Sequence, residues 1–77
     1  MKVVIAKVDE NLFDGEAESL TVPAAEGVMT VLGEHMPLIT TLKAGEIIVR
    51  TQTEGNKTFS VSGGVLEVRH DGATVIL

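Results

Sequence analysis

Few residues in this chain have the types that do chemistry. They are two histidines, His35 and His70, each beside a carboxylate, and one serine, Ser62, followed by two glycines. Glu34-His35 and His70-Asp71 offer imidazole nitrogen and carboxylate oxygen, the donors a zinc ion or an acid–base pair would use. Adjacent residues at strand ends point in divergent directions, however, and no third ligand stands at a fitting spacing. Solvent-facing turn residues are the simpler reading of both pairs. Nucleophilic catalysis would need a Ser or Thr with a positioned His and an orienting acid. Val61-Ser62-Gly63-Gly64 is not a nucleophile elbow, which requires a Gly two residues before the Ser and a helix after it. A strand bulge or a close backbone crossing explains the two glycines better. No glycine loop opens a helix to cradle phosphate. The chain has no cysteine, which removes disulfides, thiolate metal sites and thiol nucleophiles. Neither enzyme activity nor a cofactor is expected of this chain alone.

The elements that hold these residues are strands. Eleven Val, five Ile and eight Thr supply β-branched side chains throughout. The alternation predicts strands over 3–8, 16–22, 28–32, 38–42, 46–51, 57–62, 65–69 and 73–77. Leu12-Phe13-Asp14-Gly15 reads as a turn with an apolar lip, and Pro23 as the stop of the second strand. Lys43-Ala44-Gly45, Glu54-Gly55-Asn56 and Asp71-Gly72 read as further turns. Signals at roughly 8–12-residue spacing predict an all-β sandwich or barrel of short, mostly antiparallel strands, with no helix.

Composition sets the limits. At 77 residues the chain makes one domain, 1–77, burying roughly 60% of its unfolded surface. Apolar residues are 44% of it and only two are aromatic, both Phe, so the core is aliphatic. Net charge is −5, and the six Lys and Arg are scattered, which disfavours nucleic acid and anionic membrane surfaces as partners. Met1 to Lys7 is too short and too soon interrupted for a signal peptide. Nothing approaches the ~18 apolar residues of a membrane span. Direct membrane insertion is therefore not expected.

Pro23 to Thr40 organises the rest. It holds two apolar pieces around the polar turn Gly33-Glu34-His35, closed by Met36-Pro37. Gly27 and Gly33 permit positive φ, and Pro37 pushes Met36 towards extended geometry. Loops on a rigid scaffold are where a small β protein touches its partners.

Five motifs then occur in order. They are Leu12-Phe13-Asp14-Gly15-Glu16; Ser19-Leu20 with Val22-Pro23; Glu26-Gly27 with Val31-Leu32 and His35-Met36-Pro37-Leu38; Leu42-Lys43-Ala44-Gly45; and Phe59 to Val68. Almost end to end, this chain resembles the N-terminal β-sandwich domain of the epsilon subunit of F-type ATP synthases, called delta in mitochondria. It departs at Thr30, where the family usually has Gly, and at Gly33-Glu34, where it has Pro-Gly. Family members usually continue into a C-terminal helical hairpin that can inhibit ATP hydrolysis. No such hairpin is expected within these 77 residues, so the resemblance transfers no inhibition or nucleotide sensing.

The resemblance implies a structural role on the rotor. Such a domain grips the gamma subunit, rests on the c-ring, and couples ion-driven rotation to ATP synthesis. It sits peripherally at the cytoplasmic face of the bacterial plasma membrane. Carried over by motif, the ring-facing loops would include Glu26, Gly27 and Val28 together with Gly33, Glu34, His35 and Met36, gathered at one end of a stiff β body. Two other readings belong to different classes. A free-standing β-sandwich interaction module would have its gene outside any ATP synthase operon. A small metal-dependent hydrolase would lose its activity with both histidines replaced.

Overall fold

The computed structural model describes residues 1–33 and 36–77. Nine strands form within them: β1 (Lys2–Lys7), β2 (Glu10–Glu16), β3 (Ser19–Ala24), β4 (Gly27–Leu32), β5 (Leu38–Leu42), β6 (Gly45–Arg50), β7 (Asn56–Val61), β8 (Gly64–Arg69) and β9 (Gly72–Ile76). They hydrogen-bond in the order β2-β1-β9-β8-β5-β3-β6-β7, with β4 on β3. Between β5 and β3 the ladder narrows to one pair, Ala24 with Leu42. There the sheet folds over into two layers, β2-β1-β9-β8-β5 and β4-β3-β6-β7. Neighbours are antiparallel except β1 and β9, which run parallel. This is the all-β sandwich expected from the alternation.

Period-2 geometry sorts the side chains. In the first layer Phe13, Ile5, Val75, Leu66 and Thr40 stand opposite one another on the inner face. One residue along, Asp14, Val4, Thr74, Glu67 and Ile39 make an outer row. The second layer contributes Leu20, Val22, Val31, Ile47 and Val49, all fully buried against Val3, Ile5, Leu66 and Val75 of the first. The core is aliphatic, as the composition requires. At the far edges, β2 and β7 are brought together by Phe13 and Phe59. Their rings meet edge to face with centroids 6.4 Å apart, a favoured aromatic geometry.

Three local expectations are corrected. Leu12-Phe13-Asp14-Gly15 lies inside β2 rather than in a turn. The reversal is at Val8-Asp9, and the register shifts so that Ile5 faces Phe13 while Ala6 faces Asn11. Leu12 is the extra residue of that bulge, and absorbing it lets the strand continue through a stretch that reads as a turn. Pro23 does not stop its strand but pairs with Val28 inside β3. Its missing N–H falls where β3 passes from β6, last paired at Thr21–Ile48, to β5 at Ala24–Leu42. There the Pro23 carbonyl accepts the Lys43 N–H at 2.9 Å. Thr51 lies just past β6 rather than in it. Its hydroxyl donates to the Gly55 carbonyl at 2.6 Å and accepts the Glu54 N–H at 3.0 Å, which fixes the β6–β7 turn.

Of the two readings of Gly63-Gly64, the close crossing holds. The chain passes there from one layer to the other, and a β-carbon on Gly64, at φ +147°, would lie 2.7 Å from the Ile76 carbonyl oxygen.

Candidate protein-interaction surface

Glu26 lies in the two-residue turn between β3 and β4, closed by the pairing of Ala24 with Gly27. Gly27 takes φ +135°, a backbone that a side chain would strain. Val28 follows on β4, 76% exposed although it pairs with the buried Pro23. From there β4 runs the length of the sandwich to Leu32 and Gly33. Six residues of strand put Gly33 roughly 17–20 Å from Gly27. Met36 stands beside Gly33's end, just before β5, and is exposed. Glu34 and His35 lie outside the described residues. The expectation of contact loops gathered at one end is therefore replaced. Glu26, Gly27 and Val28 sit at one end, Gly33 and Met36 at the other, and β4 joins them along one flank.

That flank is the open side of the sandwich. Whereas Phe13 and Phe59 close the β2–β7 side, β4 and β5 leave a cleft of about 350 Å³ walled by Ala24, Val28, Met29, Leu38 and Thr40. A second depression, of about 420 Å³, continues over Pro37, Leu38 and Ile39 towards Glu67 and Arg69. Val28, Leu32, Met36 and Ile39 are four of the seven large hydrophobic residues exposed among those described. Strand β4 itself, Gly-Val-Met-Thr-Val-Leu, carries no charge and no proline, the devices that ordinarily keep an edge strand from pairing with another chain. Sequence reasoning missed Leu32, Leu38 and Ile39 as surface residues. The alternation Leu38-Ile39-Thr40 holds the signal for Ile39, since it places that residue outward between two half-buried neighbours.

Glu26 borders the first of these hollows, and Glu67 and Arg69 border the second. Glu10, Asp14, Glu16 and Glu18 are all exposed. Lys2 Nζ meets Asp14 Oδ1 at 2.9 Å, and that hydrogen bond, reinforced by the carboxylate charge, holds the lysine pKa above its ordinary 10.5. The α-amino group of Met1 donates to the Ala17 carbonyl at 2.9 Å and lies 3.4 Å from Glu16. His70 and Asp71 are exposed in the β8–β9 turn, with Arg69 Nε 3.6 Å from Asp71. A hollow of about 460 Å³ lies between Met1, Glu16, Glu18, Gly33, Gln52 and Thr53. Among the described residues, no three His, Asp or Glu side chains are placed to hold a metal ion.

Fold and surface define a small β-sandwich that presents an apolar flank. Residues 1–77 match the family described as ATP synthase, Delta/Epsilon chain, beta-sandwich domain, and the chain belongs to that family. It is 35% identical to the ATP synthase epsilon chain of Herminiimonas arsenicoxydans over 77 residues, which are 99% of this chain and 55% of the relative. Against the ATP synthase epsilon chain of Dehalococcoides mccartyi it is 38% identical over 76 residues, 99% of this chain and 54% of the relative. The chain thus spans about half the length of these relatives. Its fold is that of a chain in the cryo-EM structure of the Euglena gracilis mitochondrial ATP synthase, OSCP/F1/c-ring. The TM-score is 0.88 at 22% identity, covering 96% of this chain and 48% of that one.

Proposed function

We propose that this chain is a non-catalytic central-stalk domain of a rotary F-type ATP synthase. It binds the gamma subunit and the c-ring and helps couple ion-driven rotation to ATP synthesis. The observation that supports this most is the match of the whole chain to the epsilon family, together with the open apolar flank along β4 and β5. Torque is transmitted best through a stiff body, and here every strand is paired around one close-packed core, which deforms little. An exposed apolar strip bounded by polar surface is the usual mark of a protein-binding site. Glu26, Gly27 and Val28 at one end of the flank and Gly33 and Met36 at the other are the proposed contact residues, with Leu32 and Ile39 between them, and the motif adds Glu34 and His35, which lie outside the described residues. No helix among the described residues is long and apolar enough to cross a membrane. In this proposal the chain sits peripherally at the cytoplasmic face of the bacterial plasma membrane, held there through the c-ring.

Affinity copurification tests the reading. The 77-residue chain is used to capture partners from a lysate containing the cognate ATP synthase, and the captured proteins are identified by mass spectrometry. Recovery of gamma and c subunits is the expected result. Recovery of neither overturns the proposal and leaves the family fold serving some other partner.

A further inference from the structure

Three methionines stand in very different surroundings. The side chain of Met1 is 5% exposed, Met29 packs against the core from β4, and Met36 is 78% exposed beside Pro37 and Ile39 on the open flank. We propose that Met36 is an oxidation site, at which a peroxide converts the thioether to the sulfoxide and so weakens the flank's hold on its partner. The consequence for binding rests on the function proposed above, whereas the site of oxidation does not.

The chemistry balances with the peroxide as the one co-reactant. The sulfur lone pair attacks a peroxide oxygen, the O–O bond breaks, an S–O bond forms, and hydrogen peroxide leaves as water. Sulfur is oxidised by two electrons and the peroxide reduced by two. Access of the oxidant to sulfur governs the rate, so exposed Met36 reacts ahead of Met1 and Met29, which are partly buried against the core. The product exchanges an apolar, adaptable contact for a polar sulfoxide. It does so on the flank that also exposes Val28, Leu32 and Ile39. Methionine sulfoxide reductases reverse the change, so the site works as a switch rather than only as a lesion.

The test treats the folded chain with hydrogen peroxide, removes the oxidant, and measures sulfoxide at each methionine by peptide mass spectrometry over time. Met36 should oxidise faster than Met1 and Met29 by about fivefold or more, as its accessibility requires. Comparable rates at all three, or faster reaction at Met29, overturn the assignment. Binding to gamma and c-ring is then measured with treated and untreated chain, and likewise for Met36→Leu, which cannot form a sulfoxide. The readout is the ratio of affinities before and after treatment. A loss of several-fold in the native chain and none in Met36→Leu is expected. An equal loss in both overturns the switch. If neither protein binds these partners before treatment, the rotor reading fails and the switch with it, while the oxidation profile still decides the site.

Discussion

At Gly72, where the parallel pair β1–β9 begins, a β-carbon would collide with the carbonyl oxygen of Lys2. Neither backbone can yield without disturbing the ladder on both sides, so Gly72→Ala is expected to cost about 1–3 kcal/mol. Gly33 faces open space, and Gly33→Ala should change stability by less than about 0.5 kcal/mol. Urea denaturation of the two variants checks both. Lys2 provides a pH signature. Its pKa is raised in the folded chain by Asp14, so the contribution of the pair is complete below the ordinary lysine value and is lost as pH climbs through the raised one. Native protein should be more stable than Lys2→Met by a margin that is constant from pH 7 to 9 and closes above pH 10.5, the unperturbed value, in thermal melts. Some of this scale is readable in the sequence. His70 and Asp71 lie in a solvent-facing turn, as their polarity and the following glycine suggest. The need for glycine at 72 is hidden, because its neighbour Lys2 is seventy residues away in the chain and adjacent only through parallel pairing.

Phe13 and Phe59 show the same limit at the scale of elements. The short-range pattern around Phe13 reads as a turn, and only the bulge at Leu12 turns it into a strand whose ring reaches β7. Phe13→Ala should destabilise the sandwich by about 2–4 kcal/mol, since it removes a half-buried aromatic side chain where the two layers meet. A double-mutant cycle with Phe59→Ala should give a coupling of about 0.5–1.5 kcal/mol; additive losses would mean that the rings pack independently. The central strands are readable because Ile47-Ile48-Val49 is an unbroken apolar run and Leu66 and Val68 alternate with Glu67 and Arg69. Pro23 is not, because its missing N–H is tolerated where β3 changes partner from β6 to β5, and those partners are remote in sequence. Strand β4 combines both cases. Its apolar content marks it as a strand, but nothing local shows that its second edge stays open.

For the whole molecule, the fold-over at Ala24–Leu42 decides where the proposed contact residues lie. The motifs point to Glu26, Gly27, Val28, Gly33, Glu34, His35 and Met36 individually, of which Glu34 and His35 lie outside the described residues. The arrangement of the others along one flank follows from β4 and β5 facing each other across a cleft, and no spacing in the sequence reveals that. Exposed positions on this flank contribute little to folding, so aspartate at Val28 or Ile39 should cost about 1 kcal/mol or less in stability while damaging association. The measurement that tests the account most directly is titration calorimetry of the chain against the purified complex of gamma and c-ring. It would compare the native chain, the double variant Val28→Asp with Ile39→Asp, and Thr58→Asp on the outward face of β7. The account predicts binding by the native chain, a loss of at least about tenfold in the flank variant, equivalent to about 1.4 kcal/mol, and little change for Thr58→Asp. Full-strength binding by the flank variant, or no binding by the native chain, would contradict it.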